Sequence, residues 1–211
     1  MSLFDLFKMG GLFMWPLLVF SMATVAIALE RAIFIFRNNL RLDDLKAETI
    51  AYVRRGDMDG ACLYLEKRSA RRMGAKILWT MMSNRTLSER SLIEKVTETQ
   101  AMSCIDTLET GFNFLTALGS LSPLTGFLGT VSGMIGAFKS IAEATEVNAQ
   151  IVANGIYEAL ITTVFGLIIA IIAMVAHSIF SHVVDSFAAK VEFVCSDVLV
   201  ELAVAGKKDA A

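Results

Sequence analysis

Charged residues, proline and cysteine are all scarce in this sequence of 211 residues. Charged residues make up 19% of it, against about a quarter in an ordinary soluble domain, whereas 55% of the residues are hydrophobic. This composition, with only 2 prolines and 3 cysteines, excludes a disordered chain, a collagen-like repeat and a disulfide-stapled mini-protein. The net charge of −2 provides no basic field, so we expect no nucleic-acid partner. The surplus of apolar residues indicates contact with lipid.

Three stretches lack charge for long enough to cross a bilayer, which takes about 20 helical residues. They are Met9 to Leu29, Thr110 to Phe138 and Ala159 to Ala176, and the third reaches Phe180 if His177 is neutral. We therefore predict an all-α membrane protein with three transmembrane helices, the second and third extended into the cytoplasm as long helices. The first residues lack the basic region and cleavage pattern of a signal peptide, so the first helix is expected to stay as an anchor.

Basic residues predict the orientation, because cytoplasmic loops of membrane proteins retain lysine and arginine. Residues 37–110 hold 13 of them, whereas one lysine lies between the second and third spans and one precedes the first span. The N-terminus is therefore expected outside and the C-terminus in the cytoplasm. The predicted segments are an external N-terminus (1–8), a first transmembrane helix (9–36), a cytoplasmic helical loop (37–110), a second transmembrane helix (111–138), an external connector (139–154), a third transmembrane helix (155–181) and a cytoplasmic extension and tail (182–211).

The loop between the first two spans is predicted to hold three short helices, at about 42–55, 57–67 and 71–82. Gly56 suits the end of the first, and Asp57 or Asp59 suits the start of the second. A long helix is then expected to begin at Thr86-Leu-Ser-Glu89, whose pattern fits a capping box. Because no glycine or proline interrupts residues 87–110, we expect it to run unbroken from Leu87 to Phe138, about 78 Å at 1.5 Å per residue.

Beyond the third span, apolar residues recur at spacings of three and four, which predicts an amphipathic helical extension. They are Val184, Phe187, Val191, Val194 and Val198. Such a seam outside the membrane needs a partner, either neighbouring subunits or the long second helix. Oligomerisation is therefore expected.

The second span is unusually rich in small residues. Gly126, Gly129, Gly133 and Gly136 recur at spacings of three and four, which predicts a face that packs closely against another helix. A second face carries Thr116, Pro123 and Thr130 at steps of seven, and Pro123 frees a backbone carbonyl within the span. A packing helix with a proline bend is an alternative that explains this segment without any further function.

The third span carries an acidic residue, Glu158, at its outer end. Helical geometry places Glu158 about 40° from Thr162 and about 140° from Thr163, which would share a small-residue face with Ala159 and Gly166. An ionisable group in a span indicates a pathway or a switch, because its burial is costly. The alternative is an end-capping, snorkelling or inter-subunit Glu. His177 and His182 are interpreted as interfacial residues.

Motifs of enzymes and metal sites are missing from the sequence. It has no glycine loop before a lysine and no serine–histidine–aspartate arrangement, and Cys62, Cys104 and Cys195 have no metal-binding spacing. We therefore expect a protein that is not an enzyme and needs no cofactor and no metal.

Two motifs nevertheless resemble a known family. PLTGFLGTVSGMIGAF, Pro123 to Phe138, and GIYEALITTVFGLIIAI, Gly155 to Ile171, are similar to the second-span and third-span signatures of the MotA/TolQ/ExbB proton-channel family. SMATVAIALERA, Ser21 to Ala32, resembles the end of its first span. Three spans and a large first loop resemble the ExbB/TolQ branch, since the flagellar stator branch has four spans.

The resemblance implies a homopentamer in the bacterial inner membrane around single-span partners of the ExbD/TolR type, which carry an intramembrane Asp. External segments would then be periplasmic. The family's functional threonines and glutamate would correspond to Thr130, Thr163 and Glu158. A non-conducting scaffold and a sodium-driven channel remain alternatives.

Overall fold

The computed structural model of this chain describes residues 7, 10–87, 89–143 and 149–209. Most of the predicted N-terminal segment 1–8, Ser88 of the capping-box sequence and residues 144–148 of the connector lie outside the described residues. Helix makes up 88% of the structure, and the residues that are described contain no strand. The predicted all-α class is confirmed.

The described residues form seven α-helices of 11 residues or more. They are α1 (Met14–Arg37), α2 (Asp43–Arg54), α3 (Met58–Ser69), α4 (Met73–Ser83), α5 (Arg90–Glu109), α6 (Phe112–Glu143) and α7 (Ala149–Asp209). Three stretches are long and apolar enough to cross a membrane: α1, α5 with α6, and α7 from Gly155 to Ala205. The three predicted spans are confirmed, and the chain is a multi-pass membrane protein.

The first of two compact units comprises Met1–Glu30 and Gly111–Ile179. Its apolar core joins Met14 and Leu17 of α1 to Ile161 and Ile169 of α7. Many large apolar side chains elsewhere on α1, α6 and α7 are exposed in the single chain. Such a surface is expected to contact lipid or other protein chains, because exposing so large an apolar area to water is unfavourable.

The second unit comprises Arg31–Thr110 and Phe180–Ala211, and it contains the short helices. The prediction of α2, α3 and α4 is confirmed within a few residues at each end. Gly56 ends α2 with a φ of 78°, a left-handed conformation that glycine adopts freely. Asp57 then caps α3, because its carboxylate accepts a 2.8 Å hydrogen bond from the backbone N–H of Gly60.

The prediction of one unbroken helix from Leu87 to Phe138 is wrong at both the start and the middle. The first part, α5, begins at Arg90, and the side chain of its N-cap residue Glu89 makes no capping hydrogen bond. Thr86 lies in a turn in which Leu87 N donates to Asn84 O over 3.1 Å, so it cannot cap the helix. The helix then breaks at Gly111, whose φ of 91° is incompatible with helix continuation.

The apolar seam of α7 is buried within its own chain. Val184, Phe187, Val191, Val194 and Val198 are each at most 4% exposed. Polar contacts with α2 hold this part of α7, because Lys46 Nζ lies 2.5 Å from Asp197 Oδ2 and Arg54 Nε donates to Glu201 Oε2 over 3.2 Å. The seam therefore needs no neighbouring subunit, contrary to one of the two explanations that its pattern allowed.

Candidate functional site

The second and third spans pack against each other along a strip of glycine. A Cβ built on Gly126 would lie 2.8 Å from the carbonyl oxygen of Thr162 and 3.0 Å from the Cα of Thr163. At Gly129 it would lie 2.5 Å from Thr162 Oγ1, and at Gly133 it would lie 3.1 Å from Ala159 Cβ. Only residues without a side chain allow the two backbones to approach this closely.

The fourth predicted glycine, Gly136, lies away from this contact. A Cβ built on it would meet nothing within 4 Å, whereas its neighbour Ala137 is 7% exposed and lies against Gly155. On the opposite helix, Gly166 packs so tightly that its Cβ would lie 2.6 Å from the carbonyl oxygen of Ser122. Small residues on both helices therefore make the strip, and the sequence pattern of α6 alone did not single out Ser122 or Gly155.

Three threonine hydroxyls converge at the centre of this strip. Thr162 Oγ1 lies 2.8 Å from Ala159 O and 3.2 Å from Gly126 O, and Thr163 Oγ1 lies 3.2 Å from the same Gly126 O. Thr130 Oγ1, from the opposite helix, contacts Thr163 Oγ1 and lies 3.2 Å from both carbonyl oxygens. We call Thr130, Thr162 and Thr163 the threonine cluster.

Thr163 was expected on the small-residue face and Thr162 on the face of Glu158, whereas both lie at the contact with the opposite helix. They project to either side of the strip centred on Ala159 and Gly166, about 100° apart on the helix, so both reach the carbonyl of Gly126. Their exposure differs, because Thr162 is 1% exposed whereas Thr163 and Thr130 are half-buried. Thr162 is thus fully enclosed by the strip, and the other two lie at its margin.

The threonine cluster can satisfy its own hydrogen bonds. Each hydroxyl has one proton to donate and two lone pairs with which to accept. Three protons meet the carbonyl oxygens of Gly126 and Ala159 and one another, so no donor lacks an acceptor. The hydroxyl oxygens still have lone pairs that accept no hydrogen bond. A hydroxyl of Thr130 or Thr163 that rotated toward another acceptor would exchange one hydrogen bond for another at little cost.

Glu158 lies one helical turn from the threonine cluster, at the N-terminal end of the third span. It lines a cleft of about 300 Å³ whose other walls include Gly10, Gly133, Ser132 and Ser140. Its carboxylate lies against Gly11, where an added Cβ would fall within 1.8 Å of Glu158 Oε1. The glycine thus gives the half-buried carboxylate room beside the start of α1. Glu158 makes no hydrogen bond to any other described residue, so it can bind water.

Pro123 stands inside α6, one position after Ser122. Ser122 Oγ donates to Leu118 O over 2.6 Å, which supplies a side-chain bond beside the turn that the proline leaves without its backbone donor. Pro123 itself is half-buried.

Comparison with known proteins gives the chain a family. A profile of the MotA/TolQ/ExbB proton channel family matches residues 67–192. The biopolymer transport protein ExbB of Salmonella typhimurium is 39% identical over 90 residues, which cover 43% of this chain and 37% of that protein. The Tol-Pal system protein TolQ of Pseudomonas aeruginosa is 43% identical over 74 residues, covering 35% of this chain and 32% of TolQ. These alignments span well under half of either relative.

A third relative aligns over most of its length. The putative biopolymer transport protein ExbB-like 3 of Synechocystis is 31% identical over 175 residues, and the alignment covers 81% of each chain. An alignment of this length must extend beyond the two signature motifs into the region of the short helices. The extent of this alignment and of the family match show that the chain belongs to the ExbB/TolQ-like branch of the MotA/TolQ/ExbB proton channel family.

Proposed function

We propose that this chain is the proton-channel subunit of an inner-membrane motor. With a single-span partner of the ExbD/TolR type, it uses the proton motive force to drive work in the periplasm or at the outer membrane. Family membership and relatives named for biopolymer transport and for the Tol-Pal system support this assignment. The single observation that carries it is the threonine cluster, buried between two membrane helices.

The threonine cluster suits a site beside a carboxylate that alternates between two protonation states. A hydroxyl donates a hydrogen bond to an ionised carboxylate and accepts one from a protonated carboxyl group. Thr130 and Thr163 are half-buried, so their hydroxyls can reach the intramembrane Asp that a partner of this type carries. Thr162 is enclosed, and its hydrogen bond to Gly126 O joins the two helices.

Glu158 serves this pathway at its periplasmic mouth. Its negative charge raises the local proton concentration, and its cleft of about 300 Å³ can hold water at the entrance. This role follows from the proposed orientation, with the N-terminus and the connector in the periplasm and the C-terminus in the cytoplasm. No catalytic residue, metal or cofactor is needed.

The assembly that fits this mechanism is a homopentamer around the partner helices. The second and third spans would line its pore and α1 would face lipid, in keeping with the exposed apolar residues of all three helices. A proton that crosses a potential of 100 mV releases about 2.3 kcal/mol. Because about 1.4 kcal/mol is a factor of ten, one proton biases a two-state element tens-fold.

The experiment that tests the proposal removes hydroxyls without changing shape. Thr130→Val and Thr163→Val should leave the complex assembled but sharply reduce partner-dependent proton uptake in vesicles and energised activity in cells. Thr125→Val is the matched control, since the Thr125 hydroxyl bonds only to Leu121 O of its own helix at 2.9 Å. Glu158→Gln should also reduce uptake, because it keeps the shape of the side chain and removes the charge.

Two other functions have specific support. A non-conducting scaffold is favoured by the self-sufficient hydrogen bonds of the threonine cluster, and near-normal activity with normal assembly in both valine variants would establish it over a channel. A sodium channel is favoured by the five oxygens that converge there, because hard cations prefer oxygen ligands. Uptake that follows sodium at fixed pH would identify that ion.

A further inference from the structure

A groove in the second unit lies where α1 ends and where α7 continues past the predicted third span. It has a volume of about 700 Å³ and is lined by residues 35–43 and 182–190, including Phe36 and Leu40 on one side and Ser186 on the other. The first segment begins in the last residues of α1, and the second directly follows the predicted third span at 155–181. The groove therefore lies at the level of lipid headgroups.

Three ionisable nitrogen-bearing side chains line this groove: Arg41, His182 and Lys190. Within the described part of the chain, neither Arg41 nor Lys190 forms an ion pair, and Asp43 is the one acidic residue of the lining. Basic residues elsewhere in the same unit do pair, as Lys46 does with Asp197. Because Asp43 offsets only one of the two positive charges of Arg41 and Lys190, the groove carries an excess of positive charge.

The loop that presents Arg41 is held firmly. Asn38 Nδ2 donates to Phe34 O over 3.0 Å and closes the end of α1, and Asn39 follows with a φ of 37°. Arg72 donates to the carbonyl oxygen of Arg41 and to Asp44 Oδ1 over 2.7 Å. The backbone of Arg41 is therefore fixed while its guanidinium stays available to a ligand.

The apolar border of the groove distinguishes its ligand from a free anion. Phe36 is 89% exposed and Ile33 is 57% exposed, on the part of α1 that leads from the groove into the membrane. A molecule with a negative headgroup and long apolar chains would meet both the cations and this surface. Inorganic phosphate would use only the cations.

We propose that this groove binds one anionic phospholipid, with its phosphate on Arg41 and Lys190 and its acyl chains along Ile33 and Phe36 of α1. The site is independent of the threonine cluster and does not depend on proton conduction. Its effect is to fasten the end of α1 to the extension of α7 at the membrane surface. The negative charge of the bound lipid balances the excess positive charge of the groove.

The test counts lipids retained by the purified full chain in detergent, using native mass spectrometry with phosphatidylglycerol and phosphatidylcholine at equal concentration. The unmodified chain should prefer phosphatidylglycerol. The double variant Arg41→Gln with Lys190→Gln should lose about tenfold or more of this retention, as expected when two cationic contacts to an anionic headgroup are removed. Each single variant should show a smaller loss.

The matched control is Arg55→Gln with Lys67→Gln, which removes the same charges from exposed positions outside the groove. It should retain phosphatidylglycerol as the unmodified chain does. If the control and groove variants lost phosphatidylglycerol equally, retention would depend on overall charge, and the proposed lipid site would be refuted. Displacement of the lipid by excess inorganic phosphate would overturn a lipid ligand in favour of a free anion. Loss of oligomer together with lipid would instead assign the groove to a second copy of the chain.

Discussion

Two glycine-to-alanine substitutions on the same helix should have opposite effects on stability. In Gly126→Ala, the new methyl group would lie 2.8 Å from the carbonyl oxygen of Thr162 and 3.0 Å from the Cα of Thr163. Both atoms belong to backbone, so no side chain can rotate out of the way. In Gly136→Ala, the methyl group would meet nothing within 4 Å.

The size of the effect follows from these distances. An ordinary contact starts at 3.4 Å, so the two helices must separate by about 0.6 Å at Gly126. Hydrogen bonds from Thr162 and Thr163 to Gly126 O are already 3.2 Å long and would be lost. Overpacking costs about 1–3 kcal/mol and an interhelical hydrogen bond about 0.6 kcal/mol, while alanine gains about 1 kcal/mol in helix propensity. A net destabilisation of about 1–3 kcal/mol is expected.

Thermal unfolding of the purified chain in detergent, followed by tryptophan fluorescence, measures the difference. Gly126→Ala should unfold at a lower temperature than the unmodified chain, and Gly136→Ala at an equal or higher temperature because it gains only propensity. Equal midpoints for the two variants would refute the close approach of α6 and α7 at Gly126. If only Gly136→Ala lost stability, the helix contact would lie on the face of Gly136 and not on the face of Gly126.

Two predictions concern the second unit. Its ion pair between Asp44 and Arg72 should make stability depend on pH: the hydrogen bond and charge of Arg72 lower the pKa of Asp44 below its ordinary value of 3.8, so the stabilisation is present above that value and is lost as the pH falls through the lowered pKa. Asp44→Asn should therefore unfold at a lower temperature than the unmodified chain near neutral pH, and the two thermal midpoints should converge in acid; a constant difference would contradict the linkage. Asp57→Ala should lower the free energy of unfolding by about 1 kcal/mol, because the hydrogen bond from Gly60 N–H is lost. Asp57→Asn should keep most of this stability, since its side-chain oxygen can still cap the helix. Chemical unfolding of both variants measures the difference, and equal free energies of unfolding would contradict the cap.

Local signals in the sequence were sufficient for the spans and for the short helices. Uninterrupted apolar stretches located the three membrane helices, and Gly56 with Asp57 marked the boundary between α2 and α3. The break at Gly111 was missed although a glycine stood there, because glycine is common inside membrane helices and only its φ of 91° shows that this one ends a helix. Likewise, the capping pattern at Thr86 was misleading, because Thr86 lies in a turn that has no clear signal in the sequence.

Contacts between helices were predicted less well than the helices themselves. At about 100° per residue, Ala137 lies about 20° from Gly126 around α6, whereas Gly136 lies about 80° away. The spacing of the glycines suggested Gly136. That spacing does not show which part of a wide small-residue face contacts the neighbouring helix. The same geometry places Thr162 and Thr163 on either side of the line through Ala159, and only the position of the opposite helix shows that both reach it.

The glycine strip and the threonine cluster depend on each other. The hydroxyls of Thr162 and Thr163 reach the carbonyl oxygen of Gly126 only because no side chain at Gly126 or Gly129 holds the helices apart. Any hydroxyl that serves a partner carboxylate must first leave this carbonyl, and the strip must remain closed while it does so. Thr162, at 1% exposure, is suited to keeping the strip closed, whereas the half-buried Thr130 and Thr163 are suited to exchanging partners. In the proposed mechanism, this division would let one small cluster combine a stable helix contact with a hydrogen bond that changes at each proton transfer.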